Sequence, residues 1–206
     1  MIKEKLEERF KTMKDSKLAF MTQFVKHPGK VGAVMPSSNE LAEQMVAPID
    51  LNKVKVIVEY GTGTGVFTKY IRDRIDLSKT TFFSFEMNEE MVKIARQNIP
   101  DVEIYQDSAE KLREYLKKHD AKHADAIVSG LPWAVFPDEL QENILYETVQ
   151  GLKKGGVFTS FAYVHGLILP AARRFKEKLI KYFSEVNVSP IIWKNIPPAI
   201  VYRCKK

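Results

Sequence analysis

The chain has 206 residues, of which 45% are hydrophobic and 28% are charged, and its formal net charge at pH 7 is +6. This length suits one α/β domain with a sizeable core, and no linker rich in proline, glycine or serine divides it. The single cysteine, Cys204, excludes a disulfide framework and a cysteine zinc cluster and fits a reducing cytoplasm. No apolar run approaches the ~20 residues that span a bilayer, so we expect a cytoplasmic protein whose contact with membranes is peripheral.

The first 30 residues are rich in lysine and carry one apolar stripe. The stripe consists of Ile2, Leu6, Phe10, Met13, Phe20 and Phe24. Apolar residues at this spacing predict an amphipathic helix. Such a basic helix can lie on an anionic bilayer, or it can pack on the rest of the domain, and the sequence leaves both interpretations open.

A strand, a glycine-rich turn and a helix are predicted in succession from residue 56. The turn contains Gly61, Gly63 and Gly65. Glycine allows φ > 0 and close approach of the backbone to a ligand, as at the ligand-binding corner of a doubly wound α/β domain. A dinucleotide fingerprint would place its third glycine at Val66. The spacing G-x-G-x-G, with Glu59 two residues ahead of it, instead resembles the first motif of class I S-adenosylmethionine-dependent methyltransferases, although any glycine-rich βα turn would share the glycines.

Two acids follow the next two predicted strands. The strand over 80–85 ends at Glu86, about 20 residues past the glycine turn, where one carboxylate can accept from both hydroxyls of a ribose. The strand over 102–105 is followed by Asp107, where methyltransferases of this class place an Asp that accepts from the adenine amine. Each acid alone would also fit a solvated helix cap. Three motifs in order on successive strands favour a cofactor site.

The remaining chain alternates helices with strands. Helices are predicted over 88–97, 108–118, 138–152 and 171–180, strands over 125–129, 157–162, 183–188 and 199–204, and a turn over 153–156. This order predicts an α/β, Rossmann-like class I methyltransferase fold. We expect a seven-stranded, mainly parallel sheet with a C-terminal antiparallel hairpin, preceded by N-terminal helices.

The fourth predicted strand ends in S-G-L-P-W at 129–133, where this fold presents the reacting nitrogen. Adenine and cytosine amino-methyltransferases place Asn or Asp there, before a proline and an aromatic residue that stacks on the flipped base. Gly130 stands at the Asn position and has no side-chain acceptor, which counts against a nucleic-acid substrate. Trp133 either walls a pocket and meets a cationic sulfonium through its π face, or packs in the core.

Two further segments narrow the resemblance, namely G-A-V-M-P-S-S at 32–38 and N-I-P-P-A at 195–199. Together with the glycine turn and S-G-L-P, they resemble the bacterial phospholipid N-methyltransferases over about residues 24–203. The resemblance implies S-adenosylmethionine as cofactor and stepwise methylation of phosphatidylethanolamine toward phosphatidylcholine. It implies a lipid substrate in an anionic membrane surface as partner, and no nucleic acid. The alternatives are another aminolipid such as ornithine lipid, or an rRNA or DNA amino-methyltransferase.

The resemblance also assigns roles to residues of this chain. It implies an amphipathic helix and a cofactor lid over residues 1–50 and the methyltransferase domain over residues 51–206. The predicted catalytic residues are Tyr163, Trp133 and His165, with a core or structural role as the alternative for each. The predicted cofactor-binding residues are Met35, Ser37, Ser38, Glu59, Gly61, Thr62, Gly63, Gly65, Glu86, Met87, Asp107, Ser108, Ala109, Ser129, Gly130 and Leu131. No metal site is predicted.

Overall fold

A computed structural model describes residues 37–206. The helices are α1 (Asn39–Val46), α2 (Val66–Arg72), α3 (Glu89–Asn98), α4 (Leu112–Lys118), α5 (Asp138–Gly151) and α6 (Pro170–Tyr182). Short 3₁₀ turns lie at Ala109–Lys111, Trp133–Val135 and Val164–Ile168. The strands are β1 (Val56–Tyr60), β2 (Thr81–Phe85), β3 (Glu103–Tyr105), β4 (Ala124–Ser129), β5 (Leu152–Tyr163), β6 (Glu185–Val188) and β7 (Ala199–Lys205). None of the helices in this range is long and apolar enough to cross a bilayer.

The described strands form one seven-stranded sheet in the order β3-β2-β1-β4-β5-β7-β6. Strands β1 to β5 run parallel, and β7 is antiparallel to both of its neighbours, β5 and β6. This topology confirms the predicted Rossmann-like fold with its C-terminal hairpin. The strand order reverses between β1 and β4, so a crevice forms at the edge where β1 to β5 end, which we call the carboxyl edge.

The core lies on both faces of the sheet, which explains why the central strands are apolar almost throughout. Ile57 of β1 and Val201 of β7 belong to one buried cluster with Leu41 and Met45 of α1. Both α1 side chains are fully buried. Helix α1 is therefore part of the packed domain. The amphipathic helix predicted for the N-terminal residues, and Met35, lie outside the described residues.

One predicted boundary is wrong. The turn expected over 153–156 lies inside β5, which already begins at Leu152. The register of β4 against β5 shifts between Ala124 and Ala126, and Gly155 takes a φ of 72°, which glycine adopts at little cost. The Gly155 amide donates to the carbonyl of Lys206 over 2.8 Å. The chain therefore bends at this glycine without leaving the sheet.

Candidate cofactor and substrate site

The glycine turn links the end of β1 to the start of α2. Its three glycines have φ values of 75°, 54° and 89°, a region in which a β-carbon costs about 1–2 kcal/mol. The amides of Gly61 and Thr62 both donate to the carbonyl of Phe85, over 2.8 and 3.2 Å. These two hydrogen bonds fix the turn against the end of β2, where the first predicted acid follows.

Glu86 and the glycine turn are in direct contact. The Gly63 amide donates to Oε2 of Glu86 over 2.9 Å, and the Asn88 amide donates to Oε1 over 2.8 Å. A β-carbon built on Gly63 would meet no heavy atom within 4 Å. The turn thus leaves open space beside a carboxylate that keeps lone pairs for further donors. This geometry fits the ribose of the predicted cofactor.

Asp107 follows β3 and is held by three donors. Its Oδ2 accepts from Nζ of Lys111 and the hydroxyl of Tyr115, each over 2.9 Å, and its Oδ1 accepts from the Ser108 amide over 2.8 Å. Burial alone would raise the pKa of Asp107, but these hydrogen bonds outweigh burial and lower it. The carboxylate is therefore ionised at neutral pH. Because it has about four lone-pair sites, it can still accept from an adenine amine.

Glu59 is completely buried beneath the glycine turn. Its Oε2 accepts from the Thr68 hydroxyl over 2.6 Å, while its Oε1 has no hydrogen-bond partner among the described residues. Burial raises the pKa of Glu59 to about 8, so the protonated form dominates at pH 7. A buried polar atom without a partner marks a place that a ligand or an ordered water would satisfy. The carboxyl of Glu59 has no exposed surface, so it does not line the open space beside Glu86.

The end of β4 lies directly against the glycine turn. The Gly130 amide donates to the carbonyl of Tyr60 over 2.7 Å. A β-carbon built on Gly130 would lie 2.8 Å from the carbonyl oxygen of Gly61, and one built on Gly61 would lie 3.1 Å from Leu131. No side chain fits at position 130 unless the backbone moves. The close packing of the segment after β4 against the glycine turn explains why position 130 holds glycine and not Asn.

Trp133 lies in the core, which favours the second of its two interpretations. Its side chain is 2% exposed, and its indole N–H donates to Oγ of Ser129 over 3.0 Å. Its ring stacks on Phe175, with centroids 4.4 Å apart, and meets Phe158 edge-on. The side chains of Trp133 and Ser129 are thus occupied with each other and do not face a substrate.

Tyr163 and His165 lie together at the carboxyl edge. The half-buried Tyr163 ends β5 and pairs with Ala199 of β7. Its ring is nearly parallel to the exposed ring of His165, at 5.7 Å between centroids, and edge-on to Phe161. Burial raises the pKa of Tyr163 above its ordinary value. Its hydroxyl therefore stays protonated at neutral pH and is a poor proton acceptor.

Ser38 joins the start of α1 to the loop that precedes β7. Its Oγ accepts from the Leu41 amide over 3.1 Å and so caps the N-terminus of α1. Its own amide donates to Oδ1 of Asn195 over 3.0 Å, and Nδ2 of the buried Asn195 donates to the carbonyl of Pro197 over 2.7 Å. Asn195 was not among the predicted site residues. Its only signal in the sequence was its position in N-I-P-P-A.

The other predicted cofactor residues contribute less through their side chains. The buried Thr62 donates its hydroxyl to Oγ of Ser84 over 2.8 Å and so faces β2. Ala109 is buried, whereas Ser37 and Met87 are half-buried. Thr62 and Ala109 can therefore reach a cofactor through their backbone, and Ser37 and Met87 have side chains that a ligand could touch.

Residues 57–156 match the family described as "Methyltransferase domain". The match spans 100 of the 206 residues. With the glycine turn and Glu86 in place, this match confirms the predicted methyltransferase activity and S-adenosylmethionine as the methyl donor.

Three similar proteins span different parts of this chain. An ornithine lipid N-methyltransferase from Singulisphaera acidiphila is 29% identical over 196 residues, which are 94% of this chain and 97% of that protein. A ribosomal RNA small subunit methyltransferase A from Thermotoga petrophila is 26% identical over 54% of this chain and 40% of its own length. The crystal structure of an O-methyltransferase from Bacillus cereus, in complex with SAH, has a TM-score of 0.65 at 18% identity and covers 92% of this chain and 91% of its own. The last similarity concerns the fold alone.

Proposed function

We propose that this methyltransferase acts on the amine of an aminolipid head group, with phosphatidylethanolamine as the first candidate. The observation that carries the proposal is the hydrogen bond from Ser38 to Asn195. It joins the two segments, G-A-V-M-P-S-S and N-I-P-P-A, in which the chain most resembles phospholipid N-methyltransferases. The relative named ornithine lipid N-methyltransferase matches nearly the full chain and supports the same class of substrate. It also makes ornithine lipid the second candidate.

The end of β4 counts against a flipped base as substrate. An amino-methyltransferase that acts on a base needs an acceptor for the exocyclic amine and an aromatic face for stacking. Gly130 supplies no acceptor, and a β-carbon there would lie 2.8 Å from a backbone oxygen. Trp133 is packed between other aromatic side chains. The similarity to the ribosomal RNA enzyme spans only 40% of that protein.

The chemistry of methyl transfer requires mainly alignment and a neutral amine. S-adenosylmethionine, when bound, supplies an electrophilic methyl group on a sulfonium. Alignment of the acceptor with that methyl group contributes most of the acceleration. A primary amine has a pKa of about 10, and desolvation in an apolar site lowers it and so favours the neutral form. The ring of Tyr163 can face a cationic head group, and its hydroxyl oxygen can accept from the amine.

We also propose that the enzyme works in the cytoplasm at an anionic membrane surface. The net charge of +6 supports attraction to such a surface, because each basic residue near anionic lipid contributes about 1 kcal/mol. The amphipathic helix predicted for the N-terminal residues would add to this attraction.

Label transfer from methyl-labelled S-adenosylmethionine tests the substrate class. The purified protein is incubated in parallel with total bacterial lipid, total bacterial RNA, and vesicles that contain either phosphatidylethanolamine or ornithine lipid. We expect label in the lipid fraction and in at least one of the two defined lipids. Label in RNA alone would overturn the proposal. A Gly63→Ala variant serves as the control for transfer that does not depend on the cofactor site.

A further inference from the structure

Two neighbouring loops at the carboxyl edge expose large apolar side chains. One loop follows β5, and the other precedes β7. They adjoin, because the amide of Val164 donates to the carbonyl of Pro198 over 2.9 Å. The exposed side chains, which we call the apolar rim, are Ile168 (87%), Leu169 (40%), Trp193 (71%) and Ile196 (64%). An exposed apolar cluster of this kind marks an interaction site more often than a feature of folding.

Two anchored residues of the loop before β7 hold the rim side chains of that loop toward solvent. Ile192 is 9% exposed and forms a bridge with Ala199, and Asn195 is 2% exposed and bonded to Ser38. These two buried residues anchor the loop on either side of Trp193. Trp193 and Ile196 are therefore held toward solvent by a fixed backbone.

The two chain segments that hold the rim carry cations and contain no carboxylate side chains of their own. Residues 160–176 and 186–206 contain no Asp or Glu, whereas Arg173, Arg174 and Lys194 lie within them. Each of these cations pairs with an exposed carboxylate from outside the two segments: Lys194 with Glu40 at 3.5 Å, Arg173 with Glu177 at 3.0 Å and Arg174 with Asp138 at 3.2 Å. Such exposed pairs are weak, so these cations can exchange their partners for anionic head groups. Tryptophan, isoleucine and leucine next to lysine and arginine suit the interface of an anionic bilayer.

We infer that the apolar rim inserts into an anionic lipid bilayer and brings the methyl-transfer site to the head groups. The inference rests on the proposed lipid substrate and assigns the contact to residues other than the predicted N-terminal helix. Tyr163 immediately precedes the 3₁₀ turn that holds Ile168, and its strand partner Ala199 follows the loop that holds Ile196. A bilayer that meets the rim therefore lies against the same edge of the sheet as the candidate site.

Vesicle flotation of the full chain tests the inference. The vesicles consist of phosphatidylcholine alone or of phosphatidylcholine mixed with phosphatidylglycerol, and the test variant combines Trp193→Ser with Ile196→Ser. The control variant combines Tyr146→Ser with Ile180→Ser, which are exposed apolar residues of α5 and α6. We expect partitioning into anionic vesicles to fall at least tenfold in the rim variant and less than twofold in the control. Flotation of the rim variant at the wild-type level would overturn the inference.

A second measurement separates a failed inference from a failed function. Each variant is assayed on a short-chain phosphatidylethanolamine that is monomeric in water and on the same head group in anionic vesicles, after S-adenosylhomocysteine binding has confirmed the fold. The rim variant should methylate the monomeric lipid at the wild-type rate and lose at least tenfold on vesicles. An equal loss on both substrates would overturn the inference alone. Failure of the wild type on the monomeric lipid, with ornithine lipid also unmethylated, would overturn the proposed function instead.

Discussion

Gly63→Ala perturbs the cofactor site directly. Its cost in backbone strain can be matched by a second glycine elsewhere in the chain, which gives the experiment a control. Gly63 has a φ of 54°, and an added β-carbon would touch nothing within 4 Å. The substitution therefore costs backbone strain of about 1–2 kcal/mol without a clash. In a domain of this size each kcal/mol lowers Tm by about 2–4 °C. The new methyl group also enters the open space beside Glu86, so we expect the Kd for S-adenosylhomocysteine to rise at least tenfold, or about 1.4 kcal/mol.

Gly155→Ala is the matched control. Gly155 has a φ of 72° and equally open surroundings, but it lies near the start of β5, away from the carboxyl edge. Both variants should lose about the same Tm in thermal melts, while calorimetry should find the affinity of Gly155→Ala within twofold of the wild type. Equal affinity of the two variants for S-adenosylhomocysteine would refute the assignment of the glycine turn.

Three further predictions address single contacts. Burial raises the pKa of Glu59 from 4.5 to about 8, so between these pH values the folded chain keeps a proton that the unfolded chain has lost. The free energy of unfolding therefore falls as pH rises from 4.5 to 8, by at most about 1.4 kcal/mol per pH unit. Urea unfolding at several pH values should show a flatter pH profile for Glu59→Gln, and identical profiles would contradict the burial argument. Asn195→Ala should cost about 1–3 kcal/mol of unfolding free energy, because it leaves the Ser38 amide without its acceptor. Ser38→Ala keeps that amide and should cost about 1 kcal/mol for the lost helix cap. A loss for Asn195→Ala that is smaller than the loss for Ser38→Ala in urea unfolding would show that the contact is not stabilising. Tyr163→Phe should keep kcat within about tenfold of the wild type. Tyr163→Ala should lower kcat about 30-fold, which is equivalent to a desolvated cation–π contact of about 2 kcal/mol. Equal losses of kcat in both variants would assign the essential role to the hydroxyl.

The cofactor half of the site could be predicted from the sequence because its signals are local. Each strand ends within a few residues of the group it presents, so the order of the motifs predicted one site for the glycine turn and Glu86. In the structure the Gly63 amide donates directly to Glu86. Alternation of helices and strands predicted a mainly parallel sheet, whereas the assignment to the class I methyltransferase fold also drew on the resemblance to that class.

The roles that depend on distant packing could not be predicted. Trp133 follows a strand end whether it walls a pocket or fills the core, and Phe158 and Phe175, which enclose it, lie far along the chain. Asn195 meets Ser38 across 157 positions, and no periodicity or motif spacing encodes such a pair. The sequence predicts a turn at Gly155, which lies inside β5, because glycine marks both turns and strand irregularities.

Mass spectrometry of lipid products tests the central claim most directly. The protein is incubated with deuterated-methyl S-adenosylmethionine and anionic vesicles that contain both phosphatidylethanolamine and ornithine lipid, and all lipids are then extracted. The proposed function predicts deuterated methyl groups on the nitrogen of at least one of these two lipids, and at least tenfold fewer of them with Gly63→Ala when the S-adenosylmethionine concentration is below the wild-type Kd. Unmodified lipids after incubation with a wild-type protein that binds S-adenosylhomocysteine would contradict it.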